Sequence, residues 1–219
     1  MPKIIDFIQS PHHINVLRFL KLPLKSIYFY FKGHFLFNKY NQKTVTIYGS
    51  ARLPQDDEWY IKTTALSKAI AEKGLAIMTG GGPGLMAAAN YGAQQANNVS
   101  LGCCITTNNE EKNNDFLDVK LTCDYFFIRK VLLTKFSIAF VIAPGGYGTL
   151  DELFEMLNLI VTSKLKKHPV ILFGTKYWQP LMTFITQSLL ANNTISKTEL
   201  DFITLTDDID EICKIIKQQ

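Results

Sequence analysis

Three segments of this 219-residue chain place glycine and small polar residues directly after an apolar, β-branched run. They are Gly49-Ser50-Ala51-Arg52 after TVTIY, Gly80-Gly81-Gly82-Pro83-Gly84 after LAIMT, and Pro144-Gly145-Gly146-Tyr147-Gly148-Thr149 after SIAFVIA. Glycine lets a backbone approach a ligand closely, and a helix that follows aims its free N–H groups at that ligand. One such turn is equally well explained by tight packing of strand against helix. Two Gly-rich helix starts beside a small-residue turn instead make a cradle suited to phosphate. The dinucleotide fingerprint GxGxxG, with an acidic strand end about 20 residues later, does not occur, nor does the P-loop GxxxxGK[ST]. NAD, FAD and ATP therefore fit poorly, and a smaller ligand carrying one phosphate fits better.

Charged residues accompany these loops. Asp151 and Glu152 follow the third, and Glu155 lies one turn beyond Glu152. Carboxylates in a first helical turn ordinarily complement the helix dipole. Arg129 and Lys130 interrupt the apolar segment FFIRKVLL, and such a pair ordinarily forms a solvated stripe. Cys103, Cys104, Cys123 and Cys213 lack the CxxC spacing of zinc and redox sites and read as buried reduced thiols. His12, His13, His34 and His168 are scattered without an HExxH motif, so no metal site is expected.

Positioning these residues requires repeated βα units. Strands are expected at 44–48, 75–79, 99–105, 119–123, 137–143, 169–174 and 203–206. Helices are expected at about 58–73, 85–97, 125–136 and 150–162, with another beginning near Trp178 and a last one over 207–219. This order implies an α/β fold, a Rossmann-like doubly wound parallel sheet with helices on both faces. Ligands of such sheets bind beyond the carboxyl ends of the strands, where all three loops fall. With 47% hydrophobic residues and a net charge of +4, the chain can bury a sizeable core and is not globally disordered. No apolar stretch approaches the ~18 residues of a membrane span, and the start lacks a signal-peptide layout, so a soluble cytoplasmic protein is expected.

The charge is uneven. Residues 1–43 carry seven bases against one acid, whereas 44–219 carry 16 bases against 18 acids. The first segment is also aromatic, as in LKSIYFYFKGHFLFNKY (24–40). It reads as a basic, aromatic, helical N-terminal arm preceding a catalytic domain at 44–219. Such an arm packs on the body or on a partner subunit, with lysine stems covering apolar surface, or it meets a membrane surface. A nucleic-acid partner is not expected, because the body is slightly acidic.

In combination, GSAR, TGGGPGLMAAAN, FFIRKVLL and PGGYGTLDELFE resemble the Lonely Guy (LOG) family, whose members have also been labelled lysine decarboxylases. The family signature PGGxGTxxE is matched by Pro144, Gly145, Gly146, Gly148, Thr149 and Glu152, and the resemblance covers about residues 44–212. It implies a Rossmann-like fold that hydrolyses the N-glycosidic bond of nucleoside 5′-monophosphates, such as cytokinin riboside monophosphates or AMP. It further implies Arg129 and Glu152 as catalytic residues. Phosphate and substrate contacts would come from Gly81, Gly82, Gly84, Gly145, Gly146, Gly148 and Thr149, supported by Ser50 and Lys130. No cofactor is implied, and the longer bacterial branch implies a homo-oligomer, dimeric or larger, whose interface helps build the site. The chain departs from the family at Ala87, where a Glu is usual, and at ITTNNEEKNNDFLDV, where an LPxE-type segment is usual. A noncatalytic nucleotide- or cofactor-binding carrier on the same scaffold is the alternative function.

Overall fold

The computed structural model describes residues 16–41, 43–106 and 113–218, with side chains from residue 21 onward. The strands are β1 Thr44–Tyr48, β2 Ala76–Thr79, β3 Ser100–Ile105, β4 Val119–Cys123, β5 Ser137–Ile142, β6 Val170–Phe173 and β7 Ile203–Thr206. The helices are α1 Val16–Phe37, α2 Glu58–Ala71, α3 Leu85–Gln95, α4 Phe126–Lys135, α5 Tyr147–Val161, α6 Thr175–Phe184 and α7 Ile209–Lys217. The strands form one sheet in the order β4-β3-β2-β1-β5-β6-β7, and every neighbouring pair is parallel. This is the Rossmann-like α/β architecture expected. The chain winds outward from β1 to β4, then returns to β5 on the other side of β1. The loops after β1 and β5 consequently diverge and open a crevice.

The central strands are buried throughout because helices cover both faces, with Thr46 and Ser137 hydrogen-bonded to each other. All six residues of β5 and all five of β1 are buried. Along β5, Phe140 and Ile142 point into a core built with Leu132, Leu153, Met156 and Trp178 of α4, α5 and α6. Ala139 and Val141 point into the opposite core, with Leu66, Leu85 and Ile212 of α2, α3 and α7. Edge strand β4 alternates instead, burying Leu121 and Cys123 and exposing Lys120 and Thr122. Helix α1 lies on α4 through Phe29, Gly33 and Phe37. A Cβ at Gly33 would stand 2.5 Å from Leu132 Cδ1, so glycine is what permits this close seating. The arm thus packs on the body, one of the two roles expected for it, as far as residues 16–41 show.

Two helix starts differ from expectation. Helix α5 begins at Tyr147, not near Leu150, so it has no acidic residue in its first turn. The dipole account of Asp151 and Glu152 therefore does not apply. Helix α6 begins at Thr175, not near Trp178. Gly174 turns the chain at φ 116°, and Asp207 accepts hydrogen bonds from Gly174 N and Thr175 N, both at 2.8 Å. This starting carboxylate comes from 32 residues downstream of Thr175, out of reach of local pattern reading.

The backbone of Ser50 joins the two Gly-rich loops. Its N–H donates to Pro144 O at 2.9 Å, and its carbonyl accepts from Leu85 N at 2.8 Å. Gly84, at φ 64°, makes this possible, since a Cβ there would lie 2.3 Å from Ser50 O and 2.7 Å from Ala51 C. Backbone atoms cannot yield as a side chain can. Gly84→Ala is expected to destabilise the fold by about 2 kcal/mol or more, combining left-handed strain with the clash. Urea unfolding of the variant against the parent measures it.

A candidate active site at the carboxyl edge of the sheet

The loops after β1, β2 and β5, expected from the sequence to form a phosphate cradle, meet at this edge of the sheet. Helix α5 opens on Gly146 and α3 on Gly84, and neither start carries a side-chain cap among the described residues. The first N–H groups of a helix lack partners within it. The glycines at the start of α5 stand in open space. A Cβ added at Gly146 or Gly148 would meet nothing within 4 Å among the described residues. Neither residue has positive φ, so neither backbone strain nor packing within the chain calls for glycine there. Gly145 differs, because its Cβ would fall 2.1 Å from Oγ1 of the buried Thr149. Its carbonyl accepts from Tyr177 Oη at 2.8 Å, which braces the loop against α6.

Arg129 of α4 and Glu152 of α5 come together beside the cradle. Arg129 Nη1 donates to Glu152 Oε1 at 3.1 Å, with side chains only 12% and 7% exposed. Arg129 Nε donates to Cys103 O at 2.9 Å. Its guanidinium also lies against Gly80, where a Cβ would stand 2.1 Å from Nη2. The pair thus spans the end of β3, the GGGPG loop and α5. Burial raises the Glu152 carboxyl to about 7, against the lowering pull of Arg129 and Lys130 and with a further push from Glu155 and Asp151. Desolvation therefore outweighs attraction here. Glu152 Oε2 and Tyr48 Oη are buried without a hydrogen-bond partner among the described residues. Burial, reinforced by the Glu152 charge, holds the Tyr48 phenol well above its ordinary pKa. Two buried polar atoms beside the Arg129–Glu152 pair are thus left without a partner among the described residues.

Other residues singled out in the sequence take different places. Lys130 bonds Asp151 at 2.8 Å and Glu155 at 2.9 Å, tying α4 to α5. Burial lowers its pKa, but these two partners outweigh it and the net shift is upward. It is neither a solvated stripe nor a free cation facing the cradle. Gly81 lines the cradle at φ 73°, with its N–H given to Thr79 Oγ1 at 2.9 Å. Gly82 contacts Met86, and Ser50 Oγ accepts from Arg52 N at 3.1 Å. Ala87 is buried in the α2/α3/α7 core. Cys103, Cys104 and Cys123 are buried free thiols, while Cys213 is half-buried. His12 and His13 lie outside the described residues.

Sequence reasoning passed over the support of the GGGPG loop. The fully buried Asn90 accepts from Thr79 Oγ1 at 2.6 Å and donates to Ser100 Oγ at 2.8 Å. Asn114 Nδ2 reaches Asn90 Oδ1 at 3.0 Å and Gly82 O at 2.9 Å. Asn114 N also donates to Gly81 O at 2.9 Å. Part of the departing segment 105–119 is therefore what clamps the loop. The available signal was Asn90 itself, an amide on an otherwise small and apolar stretch, LMAAAN.

Residues 86–216 match the family model described as "Possible lysine decarboxylase". The chain belongs to this family, the LOG family. A family member from Rhodococcoides fascians, named a cytokinin riboside 5′-monophosphate phosphoribohydrolase, is 26% identical over 147 residues, 65% of this chain and 74% of that one. The LOG fold is shared with the X-ray structure of TM1055, at TM-score 0.63 and 23% identity over 81% of this chain and 99% of that one. It is also shared with the molybdenum cofactor carrier protein of Chlamydomonas reinhardtii, at TM-score 0.58 and 22% identity over 80% and 96%.

The raised carboxyl has a thermodynamic consequence. A folded-state value of about 7, against 4.5 ordinarily, means the folded protein holds this proton more tightly than the unfolded chain. Ionised Glu152 therefore costs stability, absent at low pH and growing as pH rises from 4.5 to 7. Glu152→Gln mimics the protonated form and escapes that cost. Its stability relative to the parent should improve by about 3 kcal/mol between pH 4 and pH 8. Denaturant melts of both proteins across that range provide the check.

Proposed function

We propose that this LOG-family protein hydrolyses the N-glycosidic bond of a nucleoside 5′-monophosphate, releasing free base and ribose 5-phosphate. The observation that carries the reading is the buried Arg129–Glu152 pair beside a helix start whose glycines answer to nothing in the chain itself. The same activity class is named for the Rhodococcoides fascians relative. An AMP-like or cytokinin riboside monophosphate is the substrate class this reading takes.

In this mechanism the phosphate sits against the free N–H groups of α5 and the open side of Gly146 and Gly148. Anchoring it there places the ribose over the crevice floor, so binding energy remote from the bond positions the reacting carbon. Cleavage passes through an oxocarbenium-like sugar. Arg129 holds one oxygen of Glu152 and leaves Oε2 to meet a ribose hydroxyl or the attacking water. A carboxyl near 7 is half ionised at neutral pH and suited to accept a proton from that water.

The family description names a different reaction, which these residues do not fit. Amino-acid decarboxylation through a pyridoxal Schiff base needs a lysine that readily loses its proton. Lys130, the lysine beside the pair, is held as a cation by two carboxylates.

A second reading, a noncatalytic nucleotide or cofactor carrier, is favoured by the closure of Arg129 and Glu152 upon each other. The structural kinship with a molybdenum cofactor carrier supports only the shared scaffold.

The deciding assay incubates purified protein with AMP, GMP, CMP, UMP and isopentenyladenosine monophosphate and quantifies base and ribose 5-phosphate. Release is expected, and Glu152→Gln should lower kcat by about 100-fold or more while nucleotide binding persists. Nucleotide binding without base release would favour the carrier. Release that survives in Glu152→Gln would sink the catalytic role. Gly148→Ala provides an independent test of the cradle. With open space around it, the methyl should leave stability unchanged or raise it by up to about 1 kcal/mol. KM should nonetheless rise about tenfold, as the methyl fills the phosphate's space.

A further inference from the structure

Helix α1 is apolar on two opposite faces, and the body covers only one of them. Phe29, Gly33 and Phe37 face inward. On the other side, Leu24, Tyr28, Phe31 and Phe35 follow one another at spacings of four, three and four, so they line one stripe along the helix. They are 62%, 55%, 64% and 86% exposed, and Ile27 widens the stripe. The next helix of this face, α4, adds exposed Phe127 and Val131.

The charge on the helix itself has one sign. Residues 16–37 contain no Asp or Glu, and Lys21, Lys25 and Lys32 accompany the stripe. Lys32 lies over the Tyr28 ring at 5.3 Å, and Lys135 of α4 over the Tyr30 ring at 4.5 Å. Asp124 pairs with Lys25. Aromatic and aliphatic side chains flanked by lysines, on a helix without acids, are what an interfacial helix presents to anionic headgroups. Two copies set face to face along this helix would bring lysines together with no helix carboxylate to offset them. A negatively charged surface satisfies Lys21 and Lys32, which have no carboxylate partner among the described residues, whereas Lys25 is already paired with Asp124. Among the described residues no helix is long and apolar enough to cross a membrane, so contact would be at the surface.

We propose that α1 docks its outer face on an anionic lipid bilayer. The experiment pellets the full chain with vesicles of equal parts phosphatidylcholine and phosphatidylglycerol, and with phosphatidylcholine vesicles alone. The expected result is binding to the anionic vesicles, weakening as salt rises. The double substitution Phe31→Ser/Phe35→Ser should reduce partitioning about tenfold or more. Both side chains are exposed, so its thermal melt should match the parent's. Lys21→Glu/Lys32→Glu, which leaves the apolar stripe intact, should also reduce binding to the anionic vesicles. Failure to pellet with anionic vesicles at low salt, or binding indifferent to both double substitutions, overturns the proposal. Sedimentation velocity supplies the remaining arm. If Phe31→Ser/Phe35→Ser turns a dimer into a monomer, the face belongs to a second copy of the chain and the lipid assignment falls.

Discussion

Arg129 and Glu152 meet at 3.1 Å in a setting that admits little water, and the rest of the site is arranged around that contact. Arginine's other donors grip the end of β3 and lie against Gly80, while the carboxylate rides on α5. The pair therefore couples the GGGPG loop to the PGGYGT helix through one guanidinium. A pair this buried is a poor source of stability, since taking two charges out of water offsets most of their attraction. The upward displacement of the Glu152 carboxyl, despite an arginine at contact distance, expresses that balance. The result is a carboxyl near neutrality, held by Arg129 at one oxygen and without a hydrogen-bond partner at the other among the described residues.

Around this pair the glycines divide by what stands next to them. At Gly84 a Cβ would strike the backbone of Ser50 and Ala51, so glycine there serves the approach of α3 to the β1 loop. At Gly146 and Gly148 the space is empty, so no neighbour among the described residues calls for glycine there. The motif glycines thus differ in kind, one required by close backbone approach and two standing in open space. Buried amides complete the support. Asn90 and Asn114 satisfy each other, Thr79, Ser100 and the loop carbonyls in one hydrogen-bonded group. A connected polar group of this kind fixes the loop more firmly than apolar packing alone.

Charge divides the two ends of the chain. The sheet and its helices are close to neutral, whereas α1 concentrates positive charge and aromatic surface. One side of α1 belongs to the same core as α4 and β4. Whatever its outer side meets is thereby brought close to the helix that carries Arg129. The lysine beside that arginine, Lys130, is committed to bracing α4 against α5.

Much of this architecture was legible in the sequence for a definite reason. Strands buried on both faces are mostly apolar, so the continuous run SIAFVIA announces a central strand, while TVTIY announces a strand without fixing its place. The glycines that close βα turns must likewise follow them. The Gly-rich loops and the alternation of elements are local in this sense. What tertiary structure decided was pairwise and distant. Only the folded chain sets Lys130 between Asp151 and Glu155, starts α6 at Thr175 through Asp207, and moves Glu152 out of the first turn of α5. Only it shows that Gly81 spends its N–H on Thr79, and that α1 leaves an apolar face outward. Local patterns fix which face a residue belongs to; which charge stands beside it, and how much water remains, depends on segments tens of residues away.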